Sequence, residues 1–150
     1  MIDWKTIDAR YFEKFIYHAL GYEGFRNLLW FGRGGSDKGR DVVGTTYEEL
    51  PFGLGYERKW VFQCKKWAKM PSPGTLFDEI SKASQHVPDF WVLSIPLNAT
   101  SDMIDYLSRL EHNFRFKIIL MPLVAIEEII HKYPQLVNVL KYGDLPFEEG

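Results

Sequence analysis

Two stretches of this chain, DFWVLSI at 89–95 and FKIILM at 116–121, set the tightest limit on its fold. Successive residues of a strand point to opposite faces. A strand that is apolar at nearly every position must therefore be covered on both faces. A sheet with one wet face would alternate instead. Residues 101–113, between the two runs, read as a helix. Residues 75–86 read as another, with Leu76, Ile80 and Ala83 turned inward. Strand, helix, strand is the crossover that joins parallel neighbours.

The first half has a different rhythm. Residues 8–20 are expected to be a helix that Asp8 caps and Gly21 ends. Phe12, Phe15, Ile16, Ala19 and Leu20 recur at helical spacing, and Glu13 sits at the edge of that stripe. Then FRNLLWF (25–31), DVVGTT (41–46) and KWVFQCKK (59–66) read as three successive strands. The Gly-rich GRGGSDKG joins the first two. Residues 47–58, with Pro51, Gly53 and Gly55, read as a long irregular loop. Pro71 and Pro73 break the chain before the second helix, and 123–141 is one or two short helices interrupted at Pro134. The order α, β, β, β, α, β, α, β, α predicts an α/β protein, a mixed sheet flanked by helices. With 150 residues, 46% of them apolar, one domain can bury its own core. That domain is expected over 1–142, with 143–150 an acidic tail or the start of a linker.

Cys64 is the one cysteine, so no intrachain disulfide forms. No signal-peptide pattern and no run of 18 apolar residues is seen, which predicts a cytoplasmic protein that does not span a membrane. The net charge of −2 argues against a general nucleic-acid coat. Its distribution is uneven. Residues 33–69 hold eight Lys/Arg against five Asp/Glu, while residues 70–150 hold six against eleven. A polyanion would meet the middle third.

Alternation puts Val61, Gln63 and Lys65 on one face of the third strand and Trp60, Phe62 and Cys64 on the other. Asp41 opens the second strand. If the two strands form a hairpin, Asp41 comes beside Gln63 and Lys65. An acid, an amide oxygen and an ammonium at one sheet edge suit metal-assisted phosphodiester hydrolysis. Asp41 and the Gln63 carbonyl are oxygen ligands for a hard cation such as Mg²⁺, with Mn²⁺ a possible substitute. Lys65 would position water or neutralise charge on the phosphate. Glu13 would hold a second ion or bond a metal water. Neither Asp41 nor Lys65 is expected to have a packing role. Arg33, Lys38, Arg40, Lys66 and Lys69 are the expected phosphate contacts. Asp37 is read as shaping the Gly-rich turn, Trp30, Trp60 and Trp91 as core, and Trp67 as core or rim. Cys64 lacks a partner base, the four histidines lack metal-ligand spacing, and GRGGSDKG lacks the lysine-serine pair of a phosphate loop.

GGSDKGRDVVG followed by FQCKKW resembles the Mrr-like branch of the PD-(D/E)xK nucleases, the restriction-endonuclease superfamily, in its Q-x-K form. The family pattern is a helix with a Glu before an LGY-like turn, then G-x-D-x-G-x-D, then Q-x-K on a strand. The matching pieces are FEKFIYHALGY, GGSDKGRD and QCK. The resemblance spans residues 11–67 and, less closely, 75–95. It implies an αβββαβ core, a divalent-metal site and double-stranded DNA as substrate, with Glu13, Asp41, Gln63 and Lys65 as the catalytic set. It also implies an effector domain of a larger restriction or antiviral-defence protein. The long 47–58 segment and SIPLNAT after the fourth strand depart from the pattern. The alternative is a catalytically silent domain that binds DNA or mediates protein interaction. Cutting both strands needs two sites, so self-association is expected, with Ile104, Leu107, Ile129 and Ile130 as candidates for the pairing surface.

Overall fold

The computed structural model describes residues 2–32 and 40–146. Helix α1 (Ala9–Tyr22) starts where Asp8 accepts from the amides of Arg10 at 2.8 Å and Tyr11 at 3.3 Å. These are two of the donors a helix start leaves unpaired. Its buried residues are the expected stripe of Phe12, Phe15, Ile16, Ala19 and Leu20. The helix runs past Gly21, however. Gly24, at φ +87, takes the left-handed position, and the amides of Gly24 and Phe25 return to the carbonyls of Gly21 and Leu20. That pair of bonds is the Schellman closure.

Five strands follow in one sheet of order β1-β2-β3-β4-β5. Strands β1 (Arg26–Trp30), β2 (Val42–Glu49) and β3 (Gly55–Cys64) form an antiparallel meander, while β4 (Phe90–Ser94) and β5 (Lys117–Met121) run parallel to β3. Helices α2 (Pro73–Ser84) and α3 (Ser101–Leu110) make the two crossovers. Both crossovers step the same way along the sheet, so right-handed connections place both helices on one face. Helices α4 (Leu123–Lys132) and α5 (Leu136–Tyr142) join α1 on the other. Trp91 and Leu93 enter the core under α2 and α3, whereas Val92 enters the core under α1, α4 and α5. The double burial expected of this strand is thus realised.

The loop expected over 47–58 is instead a hairpin. Eight pairs, from Val42↔Phe62 to Glu49↔Gly55, continue the β2–β3 ladder nearly to its tip. Trp60 Nε1 donates to Thr46 Oγ1 at 2.8 Å, and Arg58 pairs with Glu48 at 2.9 Å. Pro51 and Gly53 mark a single 3-10 turn, Pro51–Gly53, closed by Leu50 N to Leu54 O at 2.9 Å. Phe52 stands at its apex, at φ +66 and 98% exposed. Pro73 likewise begins a helix rather than breaking one, since it occupies the first turn of α2 behind the Ser72 cap.

Of the acidic tail, Asp144 pairs with Lys14 and Leu145 packs on the core, so this part is docked. Leu107 is buried, and Ile129 and Ile130 pack partly against the core, which withdraws them from a pairing surface. Ile104 alone of the four is exposed. No helix among the described residues is long and apolar enough to cross a membrane.

Candidate metal and phosphodiester site

The hairpin decides where the polar groups meet. Asp41 N donates to Phe62 O at 2.9 Å, and Phe62 also pairs with Val42, so Asp41 stands at the head of β2 against the stretch of β3 that carries Gln63. Asp41 is 5% exposed and Gln63 is 0% exposed. Asp41 Oδ2 accepts from the amide of Cys64 at 2.6 Å. This is a short, charge-assisted bond that fixes the carboxylate against β3. Asp41 therefore has a structural role as well, contrary to the expectation from sequence. Cys64 belongs to the core on the α1 side, as expected.

Lys65 shares the face of Val61 and Gln63, and Val61 packs under α2. The Lys65 ammonium lies 3.7 Å from Glu79 Oε1 and 6.0 Å from the centroid of the Trp67 ring. Glu79 was not singled out from the sequence. Its place three residues after Leu76 and four before Ala83 puts it on the flank of the inward stripe of α2, and that was the signal available.

Glu13 reaches the same end of the sheet. Its Oε1 accepts from Trp30 Nε1 at 3.0 Å, Trp30 pairs with Val42, and Phe31 N bonds Asp41 O at 2.9 Å. Glu13, Asp41, Gln63 and Lys65 are thus gathered at one sheet end, on and beside the β2–β3 ladder.

Five-stranded, mixed and flanked on both faces, this architecture has counterparts among solved structures. The MspJI restriction endonuclease in complex with a 27-mer oligonucleotide matches 90% of this chain over 30% of its own, with a TM-score of 0.56 and 13% identity. The DNA modification-dependent restriction endonuclease AspBHI matches 85% of this chain over 33% of its own, with a TM-score of 0.59 and 16% identity. The fold is restriction-endonuclease-like. This chain spans about a third of either of those proteins. No family model and no curated protein matches the sequence.

The candidate donors at this sheet end, Glu13, Asp41 and Gln63, are all oxygens and suit a hard cation better than zinc. Among the described residues no group of three His, Cys, Asp or Glu side chains gathers as a metal cluster. The third oxygen here would be the Gln63 amide. Carboxylate and amide oxygens are the donor type that a hard cation such as Mg²⁺ takes.

The expected phosphate contacts divide. Arg33 and Lys38, and Asp37 with them, lie outside the described residues. Arg40 stacks on the Phe31 ring with its guanidinium 4.1 Å from the centroid, next to Asp41. Lys69 is exposed. Lys66 turns back into the molecule and donates to the carbonyls of Trp4 at 2.9 Å and Lys5 at 3.4 Å.

Proposed function

We propose that this chain is a Mg²⁺-dependent DNA endonuclease domain of the Mrr-like, Q-x-K branch, an effector of a larger restriction or antiviral-defence protein. The observation that carries this reading is that Asp41 bonds the Phe62 carbonyl and the Cys64 amide on either side of Gln63, with Lys65 on the strand face of Gln63, in a restriction-endonuclease-like fold. The oligonucleotide of the MspJI complex and the DNA-modification dependence of AspBHI belong to those proteins and support DNA as the substrate here.

Asp41 and the Gln63 carbonyl would hold the cation, and Glu13 would hold a second ion or orient its water. A bound Mg²⁺ supplies Lewis acidity toward the scissile phosphate and its attacking water. The protein does the rest. Lys65 places its ammonium beside the phosphate, where negative charge grows as water adds and the leaving oxygen departs. The buried walls around Gln63 strengthen that interaction by excluding water. Arg40, Lys69 and, ahead of β2, Arg33 and Lys38 would track the backbone phosphates.

The test is nicking of supercoiled plasmid with Mg²⁺ and with EDTA, for the native chain and for Lys65→Ala. Nicked circles are expected from the native chain with Mg²⁺ alone. Equal nicking by both proteins, or nicking untouched by EDTA, contradicts the proposal.

A further inference from the structure

We propose that Glu79 is a positioning residue for Lys65, and that α2 thereby fixes the Lys65 ammonium at the site. The catalytic consequence rests on the nuclease reading above, but the geometry does not.

Glu79 is the acid of α2 that faces the sheet. It stands between Leu76 and Ala83, both fully buried, while its neighbour Asp78 is exposed. Its side chain is 16% exposed. A carboxylate in such a place loses hydration and needs a counter-charge. The cation it meets is Lys65, itself 27% exposed, from the strand that α2 covers. Glu79 stems from a helix whose neighbouring positions Leu76, Ile80 and Ala83 are buried in the core shared with Val61 of β3, which tethers its carboxylate over the strand of Gln63.

Lysine carries a point charge on a flexible four-carbon stem. Left alone, its ammonium sweeps many rotamers, few of which face a phosphate held at Asp41. Here it is bracketed, with Glu79 Oε1 at 3.7 Å and the Trp67 ring at 6.0 Å. A separation of 3.7 Å is longer than a directed hydrogen bond. The attraction sets the place of the ammonium without a directed bond to Glu79, which suits a group that must bond water or phosphate in the reaction. A pair kept for stability alone would gain more from close contact.

The experiment compares the native chain, Glu79→Gln and Glu79→Asp in three measurements: single-turnover nicking with Mg²⁺, the dissociation constant for a duplex oligonucleotide, and the ¹H–¹⁵N signal of the Lys65 ammonium, assigned by its loss in Lys65→Met. Glu79→Gln should slow nicking by about 100-fold, the scale of a misplaced reacting group, while duplex affinity is held or slightly tightened by loss of a negative charge. The Lys65 signal should broaden. Glu79→Asp keeps the charge and should restore most of the rate and a sharp signal. Nicking by Glu79→Gln within threefold of native, or equal rates for the Gln and Asp variants, overturns the proposal. If the native chain does not nick, the nuclease reading fails, and the ammonium signal alone decides the positioning role. A sharp native signal that broadens in Glu79→Gln sustains it, and any other pattern overturns it.

Discussion

The main-chain amide of Cys64 donates to Asp41 Oδ2 at 2.6 Å, which ties the carboxylate at the head of β2 to the strand that carries Gln63 and Lys65. One residue thus serves both the ladder and the proposed chemistry, and two substitutions separate the roles. Asp41→Ala orphans a buried amide and should cost about 1–3 kcal/mol of stability together with all cleavage. Asp41→Asn keeps an acceptor oxygen, so it should hold most of the stability and still lose cleavage. Denaturant unfolding read beside plasmid nicking checks both. An Asp41→Ala protein as stable as the native one would show that the Cys64 bond contributes nothing.

Gln63 gives a test of metal that does not depend on activity. The side chain is fully buried, between the two residues of β3 that Asp41 bonds. Glutamate there adds a second buried negative charge, which is unfavourable until a cation offsets it. Gln63→Glu should melt below the native chain in EDTA and regain the difference with Mg²⁺ or Mn²⁺. Binding linkage makes that gain grow with metal concentration. Calorimetry should show tighter Mn²⁺ binding than the native chain. A melting temperature indifferent to Mg²⁺ in this variant would remove the cation from between these residues.

Lys66 and Lys69 lie three residues apart and should respond oppositely. Lys66 spends its ammonium on the carbonyls of Trp4 and Lys5, holding the 3-10 turn Trp4–Thr6 against the end of β3. Lys66→Ala should lower stability and leave the salt dependence of DNA binding nearly unchanged. Lys69→Glu should leave stability alone, weaken all duplexes alike and lower the slope of log affinity against log salt by roughly one unit. The sequence grouped both as phosphate contacts. If Lys66→Ala lowers the salt slope by a similar amount, the structural role is not its main one.

That grouping marks where sequence reading ends. Periodicity located Leu76, Ile80 and Ala83, the stripe of α1 and the doubly buried β4, because burial repeats with the pitch of the element. It also placed Gln63 and Lys65 on one face, since alternation along a strand is strict. Long-range partners have no such repeat. That Lys66 reaches Trp4, that Glu79 meets Lys65 and that Asp41 bonds Cys64 depend on how separate elements dock. Local turn chemistry misled in two places. Pro51 and Gly53 read as a loop, although a Pro-x-Gly turn can close a hairpin tightly when long strands continue beneath it. Gly21 read as the end of α1, although the left-handed position falls at Gly24.

His18 makes acid stability a test of how the tail docks. Burial, and next the charge of Lys14, hold the imidazole below its ordinary value of 6.5, while Asp144 opposes them. The folded state thus favours neutral His18. Above 6.5 neither state is protonated there, and the contribution to stability is fully present. As the pH falls below 6.5 the unfolded chain takes the proton first, and stability declines until the folded value is passed. Glu23 and Glu111 are also lowered, from 4.5, by Lys132 and by the Ile118 amide respectively, so their contributions are lost only at lower pH. The window from pH 6.5 to 5 therefore reports mainly on His18 among the shifted groups. Unfolding free energy measured by urea from pH 7.5 to 5 should fall less in His18→Gln than in the native chain. Asp144→Asn removes the opposing charge and should carry the decline to lower pH. If Asp144→Asn leaves the curve where it was, residues 143–146 do not hold Asp144 near His18 in solution, and the docked tail is lost with that result.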